Sequence, residues 1–511
     1  AAGLPAASRP AAAEPPAPAA APRVFPALGA LRDPREPYLV PLLALLASRA
    51  LFWRLLPHAA EDAYITFRCA RNLVAGFGAV YNPGARVLTF TSPLWMLWSA
   101  LGQALGRDPV VWARATSLAA DAVTLLVLGA LLRRRVSRAA AWCFTAFFAS
   151  WTYFAAVAMS GMEASALLAV AAVAAALVET ANPAAGVALA ALGFVRPEGF
   201  AIAAALAWVA RGRDRALFGA FTALGLAGLW LGFGTIVPQG VVAKAMVYGT
   251  PGLAEGRQWW EWFLPFQLGR WPVTTEGIVL VPLAAILCPA AVVGAAALLR
   301  QGRGALAALA AGMLAVWVAY GVLGVAYFYW YLATPLAAAA LLGAVGLPRI
   351  VRGGAVYAGI AAFVLGTWTF VPSLDLGREH AEAESFGAVA DALARLAAPG
   401  QRALLEPIGL IGWRCPQLRI TDEVGLASPD VARRRAQGDG WLADVVAAMQ
   451  PDWIVIRRSE LEGGPAFAGR GAPFTSKLER DRALGPYGVV RIVNEAAGDQ
   501  ALVLLGRRPG R

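Results

Sequence analysis

The sequence predicts an α-helical polytopic membrane protein that ends in a small α/β domain outside the membrane. Three observations carry this reading. The 511 residues are 59% hydrophobic and only 15% charged, whereas a soluble domain is about half apolar and about a quarter charged. The apolar residues recur in runs of roughly 20, the number a helix needs to cross bilayer hydrocarbon. From residue 373 onward the pattern changes: charges become frequent and apolar stretches shrink to strand length.

Taken in chain order, residues 1–36 form an Ala/Pro-rich cytoplasmic tail that is expected to be disordered. No charged start followed by an apolar stretch marks a signal peptide there. The membrane domain, 37–372, contains spans at about 38–56, 113–132, 139–158, 161–180, 216–237, 277–299, 304–325, 331–347 and 354–372. Arginines cluster in the short loops between them, at Arg133-Arg134-Arg135 with Arg138, at Arg211, Arg213 and Arg215, at Arg300 and Arg303, and at Arg349 and Arg352. Placed inside, as the positive-inside rule requires, these loops let all nine spans alternate. The segments 57–112 and 238–276, the Tyr327–Tyr331 turn and the chain after about 373 then lie outside.

Two segments break the alternation. Residues 91–106 are apolar but too short to cross, and Trp95 and Trp98 suit a helix lying at the outer interface. Residues 183–210 start and end inside yet carry Arg196-Pro197-Glu198 at their middle. That is a hairpin of two short helices with a charged turn at depth. Counting it as two gives about 11 membrane helices. In the extramembrane domain, 373–511, strand-like stretches at Ala403–Leu405, Trp453–Ile456, Val489–Val493 and Leu502–Leu505 alternate with helical patterns at 382–397 and 431–449.

The net charge of +12 gathers in the inside loops, the positive-inside pattern that fixes orientation. No basic and aromatic stripe of the nucleic-acid kind accompanies it. Internal repeats, the mark of many transporters, are not evident. Of the four cysteines, Cys143 and Cys288 sit in apolar runs as packing residues. Cys69 and Cys415 both fall outside, where a disulfide between them is one reading. No cysteine or histidine has metal-ligand spacing.

The candidate chemistry gathers on the outer face. Glu61-Asp62 opens the first external loop, 57–112. A carboxylate at a cavity rim can serve as general base toward a hydroxyl, and the neighbouring charge with partial burial would raise one of the two pKa values. The ordinary alternative is a helix start favoured by the dipole. Glu163, in Ser160-Gly161-Met162-Glu163, admits the same two readings. Arg196 and Glu198 lie at membrane depth, so they pair with each other or line a wet cavity. Lys244 is either a phosphate ligand or a solvated loop lysine. The aromatic groups Trp259-Trp260-Glu261-Trp262 and Tyr327-Phe328-Tyr329-Trp330-Tyr331 are either interface anchors or sugar platforms.

Several of these stretches together resemble the GT-C superfamily of membrane glycosyltransferases. The first-loop pattern is Glu61-Asp62-Ala63-Tyr64-Ile65-Thr66-Phe67-Arg68, then Asn72-Leu73, Gly76-Phe77-Gly78, Tyr81-Asn82-Pro83-Gly84 and Thr91-Ser92-Pro93-Leu94-Trp95. The nearest pattern is the bacterial branch that includes the mycobacterial terminal arabinofuranosyltransferase. Ser160 to Glu163, Arg196-Pro197-Glu198-Gly199 and Gly234-Thr235 through Pro238 to Lys244 follow in that branch's order. So do Gly409-Leu410-Ile411-Gly412, Asp422, Gly425-Leu426 and Ser428-Pro429. Leu88-Thr89-Phe90 and Gln239-Gly240 depart from it, which bears on the sugar and acceptor more than on the reaction.

The resemblance implies a GT-C-like fold and transfer of a sugar, arabinofuranose favoured, from a polyprenyl-phosphate carrier. The acceptor would be a hydroxyl of a cell-envelope glycan or glycoconjugate, outside a bacterial inner membrane. It implies Asp62 as general base with Glu61 orienting base or acceptor. Arg196 and Lys244, with Arg68 behind them, would stabilise the leaving phosphate. Glu163 and Glu198 would position these cations or sugar hydroxyls, and Tyr64, Trp330 and Tyr331 would flank the donor. The partners expected are the lipid-linked donor, the acceptor and the bilayer, with no nucleic acid, for a monomeric chain. No cofactor is indicated, although paired carboxylates can bind a divalent metal. The competing reading is a transporter or flippase of lipid-linked sugars.

Overall fold

A computed structural model describes residues 24–247, 275–361, 376–462 and 471–508, apart from single positions 27, 57, 303, 324, 326, 327, 352 and 357. Most of the expected tail, the Trp259–Trp262 group, Tyr327 and most of the span expected at 354–372 lie outside the described residues. Inside the segment expected to be disordered, Leu28–Arg32 form a short helix, α1. Helix α2 (Leu39–Leu55) enters the bundle, and the first loop then folds as α3 (Glu61–Val74) and α4 (Pro93–Ala104).

Helix α5 (Pro109–Arg135) shows how local sequence sets an element. The Asp108 side chain accepts N–H groups from Val110 and Val111, both at 2.9 Å, Pro109 occupies the first turn, and three arginines close the last. Each choice suits the end of the helix dipole it sits on.

The apolar run read as one span over 139–158 is two helices, α6 (Arg138–Ser150) and α7 (Thr152–Met159), bent by 54° at Trp151. A break inside hydrocarbon exposes carbonyls that need donors. Arg49 of α2 supplies them: Nη1 donates to Ala149 O at 2.7 Å and Nη2 to Phe148 O at 3.2 Å. The rest of its guanidinium binds Asp121 of α5, with Nη2 to Oδ2 at 2.8 Å. Both side chains are wholly buried.

The helices that follow are α8 (Ala164–Glu179), α9 (Ala185–Val195), α10 (Gly199–Val209), α11 (Gly212–Phe233), α12 (Gln239–Val247), α13 (Thr275–Arg300), α14 (Ala305–Val322) and α15 (Ala333–Ile350). As the spacing predicts, α9 and α10 form a hairpin around Arg196-Pro197-Glu198. Among the described residues, α5, α11, α14 and Trp330–Ile350 are each long and apolar enough to cross a bilayer, and the bent α6–α7 pair makes a fifth. Helix α11 turns Leu224, Trp230 and Leu231 outward, as a lipid-facing helix does. Where α13 crosses α15, a side chain on Gly294 would meet the Leu342 carbonyl, and one on Gly346 the Ala290 carbonyl. The two backbones touch there because neither residue has a Cβ. Cys143 is buried in the core, while Cys288 is exposed rather than packed.

Helix α4 packs on α3 and leaves Leu94, Leu97, Trp98 and Leu101 exposed on its other side. Near the C-terminus lies a five-stranded sheet of order β2-β1-β3-β5-β4. Its strands are β1 (Arg402–Leu405), β2 (Arg419–Asp422), β3 (Trp453–Arg457), β4 (Tyr487–Val493) and β5 (Leu502–Arg507). The first three are parallel, and β4 and β5 complete an antiparallel edge. Helices α16 (Leu376–Leu396), α17 (Leu410–Arg414), α18 (Pro429–Arg435), α19 (Trp441–Met449), α20 (Arg458–Leu461) and α21 (Lys477–Leu484) surround it.

This sheet region docks directly on the first loop. Arg68 donates to the carbonyls of Tyr81, Gly412, Cys415 and Leu418, at 2.5–3.2 Å. Tyr81 Oη donates to Ile408 O at 2.6 Å, and Asn82 Nδ2 to Ile420 O at 2.7 Å. Cys69 and Cys415 are both buried in this contact as free thiols, so the disulfide does not form.

Candidate active site

The start of α3 is seated on the turn between α7 and α8. Ala60 N donates to Ser160 O at 2.7 Å, and Trp95 Nε1 to Gly161 O at 3.3 Å. Gly161 has φ +80 with Ala59 close against it, which leaves little room for a side chain. Asp62 and Glu163, 101 positions apart in sequence, are thereby brought to one end of the bundle.

Around them a continuous polar chain forms. Lys244 Nζ of α12 donates to Asp62 Oδ2 at 3.2 Å. The same ammonium lies 4.0 Å from the Phe328 ring centre and 5.9 Å from that of Tyr331. The Arg196 guanidinium sits over the Tyr331 ring, at 5.3 Å, so one aromatic ring is shared by the two cations. Arg196 Nη1 binds Glu163 Oε1 at 2.7 Å, and its Nε binds Glu198. The Ser92 side chain hydrogen-bonds Glu163, and that of Tyr320 reaches Glu198.

The two ends of the chain differ in exposure. Asp62 is 25% and Lys244 17% exposed, whereas Arg196 and Glu163 are 6% and 3%. The accessible end is therefore the Asp62–Lys244 pair, with Arg196 as a clamped cation behind it. Burial lowers the Lys244 pKa, but Asp62 and Tyr331 outweigh it and hold the ammonium above the ordinary lysine value. Chemically, the arrangement offers a carboxylate that can accept a proton and two fixed positive charges that can receive an anion.

Six of the residues expected at the site meet in this chain: Asp62, Lys244, Tyr331, Arg196, Glu163 and Glu198. Four are placed otherwise. Glu61 points away, its carboxylate accepting Gly409 N at 2.5 Å and Leu410 N at 3.0 Å. Burial raises its pKa to about 8, against the pull of those two N–H groups. Arg68 belongs to the loop contact described above; all its donors are directed at carbonyls and Asn82, which leaves it none for a phosphate. Tyr64 is buried edge-on against Phe67 with its hydroxyl near Ala59 N. Trp330 stacks on Phe328 at 5.0 Å and is one ring removed from Lys244.

Sequence reasoning passed over Phe328, Ser92 and Tyr320 as site residues. The first two lie inside motifs that were visible, the aromatic turn and Thr91-Ser92-Pro93. Tyr320 stands in an apolar run with no local signal. Among the described residues, no group of three or more His, Cys, Asp or Glu side chains converges as a metal set.

Residues 375–499 match the model of a domain of unknown function, DUF8728. No curated protein matches the sequence. The crystal structure of ArnT from Cupriavidus metallidurans bound to undecaprenyl phosphate is similar with a TM-score of 0.59, at 13% identity over 92% of this chain and 98% of that one. The apo structure of the same protein gives 0.55, at 14% identity over 91% and 97%. A cryo-EM structure of the arabinofuranosyltransferase AftD from mycobacteria gives 0.46, at 15% identity over 90% of this chain and 41% of that one. In fold, the chain is similar to ArnT over nearly its whole length.

Proposed function

We propose that the chain is a glycosyltransferase that moves a sugar, arabinofuranose favoured, from a polyprenyl-phosphate carrier to a hydroxyl of a cell-envelope glycan or glycoconjugate. It would work as a monomer of about eleven membrane helices in a bacterial inner membrane, with the site facing outward. The observation that carries this reading is the Asp62–Lys244 pair at 3.2 Å, backed through Tyr331 by Arg196. The fold adds support, since a protein built this way is seen with undecaprenyl phosphate bound.

Asp62 takes the proton of the acceptor hydroxyl as the oxygen attacks the anomeric carbon. The bond from that carbon to the carrier phosphate breaks, and its electron pair goes to the phosphate oxygen. Lys244 meets the growing charge first and Arg196 reinforces it. When the donor phosphate arrives it draws Lys244 from Asp62, which frees the carboxylate as a base at the moment of need. Glu163 and Glu198 hold Arg196 over the Tyr331 ring.

The test is transfer from a labelled polyprenyl-phosphate pentose or hexose to an envelope glycan by the purified chain in lipid nanodiscs. Transfer that Asp62→Asn abolishes supports the proposal. Transfer that survives the substitution removes Asp62 as the base. Movement of lipid-linked sugar across the bilayer without transfer would replace the reading with a transporter.

A further inference from the structure

The C-terminal sheet region reaches the two halves of the Asp62–Lys244 pair separately. Strand β1 ends at Leu405 and leads into the turn at Gly409-Leu410, whose two N–H groups hold Glu61, the residue next to Asp62. Strand β2 ends at Asp422 and leads into the turn 422–428. There Gly425 O accepts from Gln239 Nε2 at 3.0 Å, at the start of the helix that carries Lys244.

These strands are adjacent, parallel and in register, with Leu405 opposite Asp422. Both turns therefore leave the same edge of the sheet, at the carboxyl ends of two neighbouring strands, and their separation is fixed by strand pairing. Each turn is braced. A Cβ on Gly409 would strike the Glu61 carbonyl and carboxyl carbons, so the two backbones are in direct contact. In the second turn the Asp422 carboxylate accepts Val424 N at 2.8 Å and Ala427 N at 2.7 Å, Ser428 Oγ accepts Asp422 N at 2.9 Å, and Gly425 has φ +89. Neither Glu61 nor Gln239 belongs to the polar chain itself.

We infer that the sheet region is a positioning frame: the turn at 409–410 sets the Asp62 arm, the turn at 422–428 sets the Lys244 arm, and strand pairing fixes the gap between them. Gly409, Glu61 and Gln239 are positioning residues that act through Asp62 and Lys244. The inference rests on the proposed function for its consequence in turnover, but the placement of the arms is measurable without it.

The experiment uses Gly409→Ala, Gln239→Ala and the double variant in the full chain in nanodiscs, with two readouts. Amide hydrogen exchange is expected to rise at 62–66 for Gly409→Ala and at 241–247 for Gln239→Ala, while α5 and α8 exchange as in wild type. In the transfer assay, kcat per folded molecule is expected to fall 10- to 100-fold in each single variant with the donor KM within threefold. The double variant is expected to be little worse than the worse single one, since either slip alone spoils the pair. Unchanged exchange at both arms overturns the frame whether or not transfer occurs. So do activity losses that only track the folded fraction, or that multiply in the double variant. Wild-type protein that transfers no sugar, with the exchange changes present, removes the proposed function and leaves the frame standing.

Discussion

Arg49→Met tests the part of the bundle whose cost is best defined. The substitution keeps an unbranched side chain in α2 but removes the donors that hold Asp121 and the carbonyls of Phe148 and Ala149 at the α6–α7 break. Arg49 and Asp121 are 0% and 1% exposed, so water cannot replace what is lost. Removing one partner of a buried, hydrogen-bonded pair costs about 3–5 kcal/mol. Asp121 keeps a hydrogen bond from Ser165 and Ala149 O keeps Ser48 Oγ, which places the expectation nearer ~3 than ~5 kcal/mol. The double variant Arg49→Met/Asp121→Leu removes the stranded carboxylate as well and is expected to recover about 1–2 kcal/mol of the loss. Reversible unfolding in mixed micelles of dodecyl sulfate and a mild detergent measures both. A single variant within about 0.5 kcal/mol of wild type, or a double variant worse than the single, would refute the reasoning.

Other expectations follow from the site and its surroundings. Asp62→Asn lowers kcat by about 10²–10⁴. The fold stays in place, because the amide oxygen can still accept from Lys244 and the Phe328 ring still faces the ammonium; thermal unfolding checks it. Lys244→Met and Arg196→Met each lower kcat by about 10²–10³, and Arg196→Lys does not restore it, since a single ammonium cannot bind Glu163 and Glu198 while lying on Tyr331; steady-state kinetics with labelled donor check both. Burial pushes Asp422 up to about 6 against the backbone N–H groups that pull it down. The native state therefore holds that proton more tightly than the unfolded chain, and the contribution to stability is fully present below about pH 4 and lost as pH rises through 6. It amounts to about 3 kcal/mol, and thermal unfolding from pH 4 to 7 should show the slope in wild type and a shallower one in Asp422→Asn, where Glu61, raised to about 8, still loses its own share as pH rises. Finally, all four cysteines should titrate as thiols in denaturant without reductant, as their free state requires.

Where the sequence was legible, the signal was local and energetic. A charged turn between two short apolar halves can only be a hairpin, and Arg196 and Glu198 are found in one. Acid next to a span on the arginine-poor face pointed to Asp62. What stayed hidden depended on partners far along the chain. Arg68 and Glu61 are consumed by backbone groups roughly 340 residues away, and backbone acceptors leave no mark in a sequence. Arg49 and Asp121 did leave one: each is a charge inside an apolar run, and intramembrane charges seek each other. The break at Trp151 had no such mark, because alanine and phenylalanine continue on both sides of it. Strand β2 was overlooked since Arg419-Ile420-Thr421-Asp422 holds a single strongly apolar residue, and its strand character comes from pairing with β1.

The polar chain holds three carboxylates, Asp62, Glu163 and Glu198, against two cations, Lys244 and Arg196. Ionised throughout, it carries a surplus of one negative charge before any lipid enters. A donor diester brings one more, and cleavage converts it to a monoester whose charge at neutral pH approaches two. On the proposed reaction, repulsion therefore grows as the chemistry completes, while Asp62, now protonated, relaxes its claim on Lys244 only until it sheds the acceptor proton. When that proton leaves for solvent, Lys244 is drawn back to Asp62 and the spent carrier loses its nearest counter-ion. Product discharge is thus written into the charge count of the cluster, and it should quicken with pH wherever release limits turnover.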